Sequence, residues 1–130
     1  MDNKRQYLLE TDIIADYLVK EKKPDFSDFE LAMITGICFT TVLNTSELFF
    51  AASNDDEFEK VKRVIKSVKV LGINSRYSLN ISDFFNKVAT ARDALMCSVA
   101  KNNKLPILTN KIDKYKNSGL IIINANELRV

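Results

Sequence analysis

Five short, densely apolar stretches alternate with segments whose apolar residues recur at helical spacing, and this alternation constrains the fold more than any other feature. The stretches are residues 7–10, 38–43 ("CFTTVL"), 68–73 ("VKVLGI"), 105–109 ("LPILT") and 120–124 ("LIIIN"). Short apolar runs are typical of buried strands, and strands that alternate with helices are typical of crossover units. The sequence therefore predicts an α/β fold with a parallel sheet of about five strands covered by helices on both faces.

The intervening segments predict helices of unequal clarity. Four helices are predicted clearly: one that follows Glu10, one over 26–34 that ends near Gly36, one that starts near Ser46, and one over 58–68 that carries an apolar stripe. A loop is expected at Pro24 and Asp25. Residues 74–87 are the least regular, and there Ser82 is expected to cap a short helix. Residues 90–101 are nearly apolar throughout, which predicts a helix buried against the sheet.

Composition sets the class of protein. A chain of 130 residues matches the size of one domain, so we expect a single domain over 1–130. The sequence has no apolar run of membrane-spanning length and no recognisable signal peptide, which predicts a soluble, cytoplasmic protein. Cys38 and Cys97 lie inside apolar runs and are expected to be reduced core residues.

Charge is distributed unevenly along the chain. Residues 1–59 hold 13 acids and 5 bases, whereas residues 60–130 hold 4 acids and 14 bases. The bases form two clusters, one of Lys60, Lys62, Arg63, Lys66 and Lys69, the other of Lys101, Lys104, Lys111, Lys114 and Lys116. A phosphate-bearing partner held beside an acidic site fits this pattern, and so does plain solvation of helix faces.

Three acids fall where ligand sites gather in parallel sheets. Glu10 ends the first predicted strand, Glu47 begins the helix after the second, and Asp93 opens the buried helix before the fourth. The carboxyl ends of parallel strands meet at one edge of the sheet, so the three carboxylates are expected in one cleft. Such a cluster of like charges is typically held by Mg²⁺ or Mn²⁺, which prefer oxygen ligands and promote phosphodiester hydrolysis.

Helix capping is the alternative interpretation of each acid. Asn44 could be an N-cap to which Glu47 reaches back, and Thr90 and Asp93 have the same spacing. Asp12 suits the first turn of a helix on electrostatic grounds alone.

Four stretches together resemble the successive landmarks of a PIN domain, and particularly the VapC-like toxin ribonucleases. They are "LLETDIIADYL", "TTVLNTSELFFAA", "RDALMCSVAKNNKLPILTNKIDKY" and "LIIINANEL", with 74–89 the poorest match. The resemblance assigns the three acidic positions of that family to Glu10, Glu47 and Asp93. It assigns supporting positions to Thr11, Asp12 (a further metal ligand), Thr41 and Thr109.

The resemblance implies a three-layer α/β/α sandwich and a ribonuclease that depends on Mg²⁺ or Mn²⁺. It also implies an antitoxin partner and a homodimer, for which Phe49 and Phe50 offer an apolar surface if they are not part of the core. The absence of histidine excludes a mechanism based on imidazole general acids and bases.

Two positions depart from the family pattern. Glu10 stands where the family usually has Asp, and Lys111 stands where it usually has Asp or Asn. Asp12, Asn110 or Asp113 would compensate if they reach the site, and Lys111 would either contact a phosphate or remain a solvated loop residue. These departures leave a second hypothesis open, a catalytically weakened module that binds RNA or a protein partner without cleavage.

Overall fold

Parallel strands alternate with helices through the chain, as the apolar runs predict. The computed structural model describes residues 5–19 and 25–129. The strands are β1 (Arg5–Leu9), β2 (Gly36–Thr41), β3 (Lys69–Leu71), β4 (Ile107–Leu108) and β5 (Ile122–Ile123). The α-helices are α1 (Thr11–Val19), α2 (Asp28–Thr35), α3 (Val42–Ala51), α4 (Asp55–Lys66), α5 (Ser75–Leu79) and α6 (Ala91–Asn103). Short 3₁₀ helices lie at Ile81–Phe84, Ile112–Lys114 and Ala125–Leu128.

The strands form one parallel sheet in the order β3-β2-β1-β4-β5. Strand β1 lies at its centre, and its side chains alternate between two separate hydrophobic clusters. Tyr7 and Leu9 pack with α1 to α4 on one face, whereas Leu8 packs with α5, α6 and the 3₁₀ helix Ile81–Phe84 on the other. The predicted α/β/α sandwich is therefore confirmed, with β1 buried between both layers.

Gly36 permits the close approach of β2 to β1. A Cβ atom at this position would lie 2.5 Å from the carbonyl oxygen of Arg5 and 2.8 Å from Cε2 of Tyr7. Its φ of −166° is extended, so the need for glycine is one of space rather than of dihedral angle. Helix α2 ends here as predicted, and the same residue begins β2.

Helix α6 is buried along most of its length, also as predicted. Thr90 caps it by accepting a hydrogen bond from the Asp93 amide at 3.0 Å, and Lys104 ends it in the left-handed conformation. Cys97 on this helix and Cys38 on β2 are buried and free, and burial raises the pKa of each thiol to about 12.

Two predicted boundaries were wrong. Helix α3 begins at Val42 rather than near Ser46, and Thr41 rather than Asn44 is its N-cap. The expected Ser82-capped helix is a 3₁₀ turn that starts at Ile81 without a side-chain cap, and α5 precedes it. The loop predicted at Pro24 and Asp25 is described only at Asp25, because Pro24 lies outside the described ranges, and it stays a prediction there.

No helix among the described residues is both long enough and apolar enough to cross a membrane.

Candidate active site

The structure brings Glu10, Glu47 and Asp93 together at the carboxyl edge of the sheet. We call these three residues the acid cluster. Glu10 directly follows β1, Glu47 lies in the second turn of α3, and Asp93 lies in the first turn of α6. Glu10 and Asp93 are buried, while the Glu47 side chain is 39% exposed. The cluster therefore opens to solvent on the side of α3.

The guanidinium of Arg92 lies between the three carboxylates. Its two terminal nitrogens each lie 2.5 Å from one oxygen of Glu10, and Nη1 donates to Oδ1 of Asp93 at 3.0 Å. Nε and Nη2 donate to the two oxygens of Glu47 at 3.1 and 2.7 Å. Paired N–H donors match a carboxylate in both geometry and charge, so Arg92 is the principal counter-ion of the acid cluster.

Two further side chains from the segment after β4 reach the acid cluster. The Tyr115 hydroxyl donates to Glu10 and lies 3.3 Å from Oδ1 of Asp93. The ammonium of Lys114 lies 3.3 Å from Oδ1 of Asp93 and 3.7 Å from Oε2 of Glu10. With Arg92 and Lys114 as the cations, the cluster retains one negative charge in excess.

The pKa of the Glu10 carboxyl group lies far below neutral pH. Burial alone would raise its pKa, but hydrogen bonds from Arg92, Tyr115 and the Thr11 amide lower it to about 2. Burial also opposes the ionisation of Glu47, and hydrogen bonds from Arg92 and Thr11 nevertheless lower its pKa. Burial, and then the nearby Glu10 charge, raise the pKa of Tyr115, which stays protonated and able to donate. While Arg92 is in place, both glutamates are therefore ionised at neutral pH and do not serve as general acids.

A second layer of hydrogen bonds holds Glu10 and Glu47 in place. Asn44, wholly buried in α3, donates to Oε1 of Glu10 at 3.0 Å and to Oγ1 of Thr11 at 2.9 Å. The Thr11 hydroxyl donates to Oε1 of Glu47 at 2.5 Å. Thr41 donates to Oδ1 of Asn44 at 2.6 Å and so fixes the orientation of its amide. Thr11 and Thr41 are thus positioning residues of the acid cluster.

Asp12 contacts a different part of the sheet edge. Its carboxylate accepts hydrogen bonds from the Thr109 hydroxyl and the Asn110 amide, both at 2.9 Å. Asn110 in turn donates to Asp28 at 2.7 Å and accepts from the Ala125 amide at 3.1 Å. These contacts join α1 and α2 to the segments after β4 and β5, and the structure does not bring Asp12, Thr109 or Asn110 into contact with Arg92.

Lys111 and Asp113 are both exposed, and no contact described in 5–19 or 25–129 joins either side chain to the acid cluster. Asp113 therefore does not supply the carboxylate missing at position 111 in this arrangement. Lys114, one residue further along, contacts the acids instead.

Sequence reasoning missed four residues of this site: Asn44 (taken for a cap), Arg92, Lys114 and Tyr115. A signal for Arg92 was present, because three buried or half-buried carboxylates need a cation and Arg92 precedes Asp93 in the same helical turn. Tyr115 could be found only from the path of the chain after β4.

The acid cluster as arranged here does not fit a divalent ion. Within the described ranges, no group of three or more His, Cys, Asp or Glu side chains is placed to hold a metal. Every buried side-chain nitrogen or oxygen in the same ranges has a hydrogen-bond partner, so none of them is an unpaired atom that a metal ion would satisfy. The ligand type is nevertheless right, since carboxylate oxygens are what Mg²⁺ and Mn²⁺ prefer.

The PIN domain family matches residues 7–116 of the sequence, a range that contains the whole acid cluster. The chain belongs to the PIN domain family. No curated protein matches it significantly in sequence.

Solved structures share the fold of this PIN domain along nearly its whole length. VapBC2 from Rickettsia felis, bound to a promoter DNA fragment, is 16% identical with a TM-score of 0.73, and the alignment covers 92% of this chain and 98% of that one. DNA-bound VapBC from Salmonella typhimurium is 13% identical with a TM-score of 0.75, covering 93% and 98%. A toxin-antitoxin complex from Klebsiella pneumoniae is 12% identical with a TM-score of 0.70, covering 83% and 88%. At such identities the likeness is one of fold.

Proposed function

We propose that this PIN domain is a cytoplasmic ribonuclease, the toxin of a toxin-antitoxin pair, that depends on Mg²⁺ or Mn²⁺. The observation that carries the proposal is the convergence of Glu10, Glu47 and Asp93 from three separate segments at the carboxyl edge of the sheet. Buried carboxylates in such proximity repel one another, and a fold that retains them has a use for their charge. Under the proposal these three are the metal ligands and catalytic residues, after Arg92 has withdrawn.

The remaining predicted site residues have lesser roles in the proposal. Thr11 and Thr41 orient the acids through the hydrogen bonds described above. Asp12, Thr109 and Asn110 shape the edge of the sheet beside the cluster, so we do not assign a metal ligand among them. Lys111 is exposed and free of a described side-chain contact, which suits a contact with a phosphate of the RNA.

The test is cleavage of a mixed pool of structured and single-stranded RNA in Mg²⁺, Mn²⁺ or EDTA. Wild type is expected to cut with either metal and to stop in EDTA, and Asp93→Asn is expected to lose cleavage. Asp113→Asn is the matched control, because it makes the same change on an exposed aspartate outside the cluster. Intact RNA under every condition, or equal cutting by Asp93→Asn, would contradict the proposal.

A second candidate is a weakened PIN module that binds RNA or a protein partner without cutting. The observation in its favour is that Arg92 pairs with all three carboxylates of the acid cluster. In addition, Lys111 stands where the family usually has Asp or Asn. RNA retained on a filter in EDTA, with no cleavage under any metal, would favour this candidate. Recovery of cleavage in Glu10→Asp would show that the longer side chain is what weakens the site.

We also propose that the chain pairs with an antitoxin and forms a homodimer. The support is that similar folds occur in the VapBC structures from Rickettsia felis and Salmonella typhimurium and in a toxin-antitoxin complex from Klebsiella pneumoniae. The two phenylalanines expected to form the dimer surface differ in their exposure. Phe49 packs into the core and stacks on Phe58, whereas Phe50 is 95% exposed. Sedimentation of wild type and Phe50→Ser at micromolar concentration tests whether Phe50 belongs to the dimer surface.

A further inference from the structure

We propose that Arg92 occupies the cation position of the acid cluster, so that the guanidinium and a divalent ion exclude each other. This inference rests on the proposed function, because it assigns a metal to the same three carboxylates. It adds that the metal-free form is held closed by a residue of the chain itself, and that a metal binds only as Arg92 leaves.

Geometry supports exclusion rather than coexistence. Arg92 contacts every member of the acid cluster, at 2.5 Å for Glu10, 2.7 Å for Glu47 and 3.0 Å for Asp93. A Mg²⁺ ion that used oxygens from all three would need them at about 2.1 Å from one point. The point that the three side chains share is the one where the guanidinium lies, so both cations compete for the same oxygens.

Electrostatics points in the same direction. The acid cluster gives Arg92 five of its hydrogen bonds, and the guanidinium pKa is raised because these bonds outweigh the cost of its burial. A dipositive ion beside this fixed positive charge would be repelled strongly at such short range. Lys114 contacts two of the acids at longer distances and is 34% exposed, so it competes less than Arg92.

Arg92 also has a way out. Its side chain is 22% exposed, while its backbone is held in the first turn of α6 by the Thr90 cap. Under this inference the guanidinium turns toward solvent while the helix that carries Asp93 stays in place. Once it leaves, the Glu10 and Asp93 carboxylates lose their main partner and become strong ligands.

The test is Mn²⁺ binding at neutral pH, measured by titration calorimetry on wild type, Arg92→Gln and Arg92→Lys. Arg92→Gln removes the charge and is expected to bind Mn²⁺ at least tenfold more tightly than wild type, with Arg92→Lys in between. Arg129→Gln is the matched control, because Arg129 is also paired with an acid, Asp28 at 2.7 Å, outside the cluster. It is expected to bind as wild type does. Equal or weaker binding by Arg92→Gln would overturn the inference.

A second measurement uses wild type alone, in case Arg92→Gln fails to fold. The Nε–Hε resonance of Arg92 in a nitrogen-15 spectrum is expected to lose its protection from solvent exchange as Mg²⁺ is added. An unchanged resonance while the signals around Asp93 shift would overturn the inference.

The outcomes separate this inference from the proposed function. If wild type shows metal-dependent cleavage but Arg92→Gln binds Mn²⁺ no more tightly than wild type, the nuclease proposal holds and the exclusion of metal by Arg92 is wrong. Tighter Mn²⁺ binding by Arg92→Gln without cleavage by any variant leaves the exclusion standing and removes the nuclease. Absence of metal binding in all variants removes both.

Discussion

Asn44 donates its side-chain amide to Glu10 at 3.0 Å and thereby ties α3 to the residue that ends β1. The amide nitrogen also donates to Thr11, and the amide oxygen accepts from Thr41, so every polar atom of this buried side chain is in use. The relationship orients the acid that the central strand supplies.

Replacing Asn44 by alanine is expected to lower the free energy of unfolding by about 2–3 kcal/mol, since buried partners on both sides lose a hydrogen bond. Urea unfolding measures the change. Ser46→Ala on the same helix is the control, because Ser46 is exposed and bonds only to the helix backbone, and it should fall within about 0.5 kcal/mol of wild type. Equal stability of the two variants would contradict the positioning role of Asn44.

Tyr115→Phe is expected to move acid unfolding to higher pH. The Tyr115 hydroxyl is one of the donors that lower the pKa of Glu10, so its loss raises that pKa and brings protonation closer to neutral pH. Tyr7→Phe removes a buried hydroxyl that bonds to Thr35 at 2.9 Å, away from the acids. Circular dichroism across a pH series should show a shifted midpoint for Tyr115→Phe only.

Stability is expected to fall as the pH drops from about 4.5 toward 2. The pKa of Glu10 is about 2 in the folded protein against an ordinary 4.5, so its ionised form stabilises the fold above pH 4.5. That stabilisation, about 3 kcal/mol, is lost as the pH approaches the folded pKa. Glu10→Gln should unfold more easily at neutral pH yet depend less on pH in this window, as chemical unfolding at each pH would report. A slope equal to that of wild type would contradict the assignment.

Gly36→Ala is expected to destabilise the protein by about 1–3 kcal/mol, because the added methyl group would press on the β1 backbone 2.5 Å away. Gly72→Ala makes the same change where nothing lies within 4 Å of the new atom. Thermal unfolding should lower the midpoint for Gly36→Ala and leave Gly72→Ala near wild type. Similar midpoints for the two variants would show that β2 shifts enough to accommodate the added methyl group at little cost in stability.

The sheet could be predicted from the sequence because its strands are separate apolar runs, and parallel pairing places their ends at one edge. The start of α3 could not, since Val42 and Leu43 extend the apolar and β-branched stretch of β2 and conceal the Thr41 cap. The short helix α5 carries no apolar stripe and was missed for that reason.

The sequence predicted the acids of the site and, through the family resemblance, the positioning residues Thr11 and Thr41. Glu10 follows from the end of β1, and Glu47 and Asp93 from helices that begin at the same edge of the sheet, but the partners of a carboxylate depend on side-chain direction. Asp12 is two residues from Glu10, yet it faces Thr109 rather than Arg92. Arg92 directly precedes Asp93 in the sequence, but its contacts with all three acids are visible only in the structure.

The placement of Arg92 beside Asp93 also bears on how the protein is made. A chain whose carboxylates are paired with its own arginine does not need a metal ion to complete folding, and we expect chelators to leave its thermal midpoint unchanged. Under the proposed function, newly synthesised protein would accumulate folded but idle in a cell short of magnesium or manganese, and it would become active as those ions return.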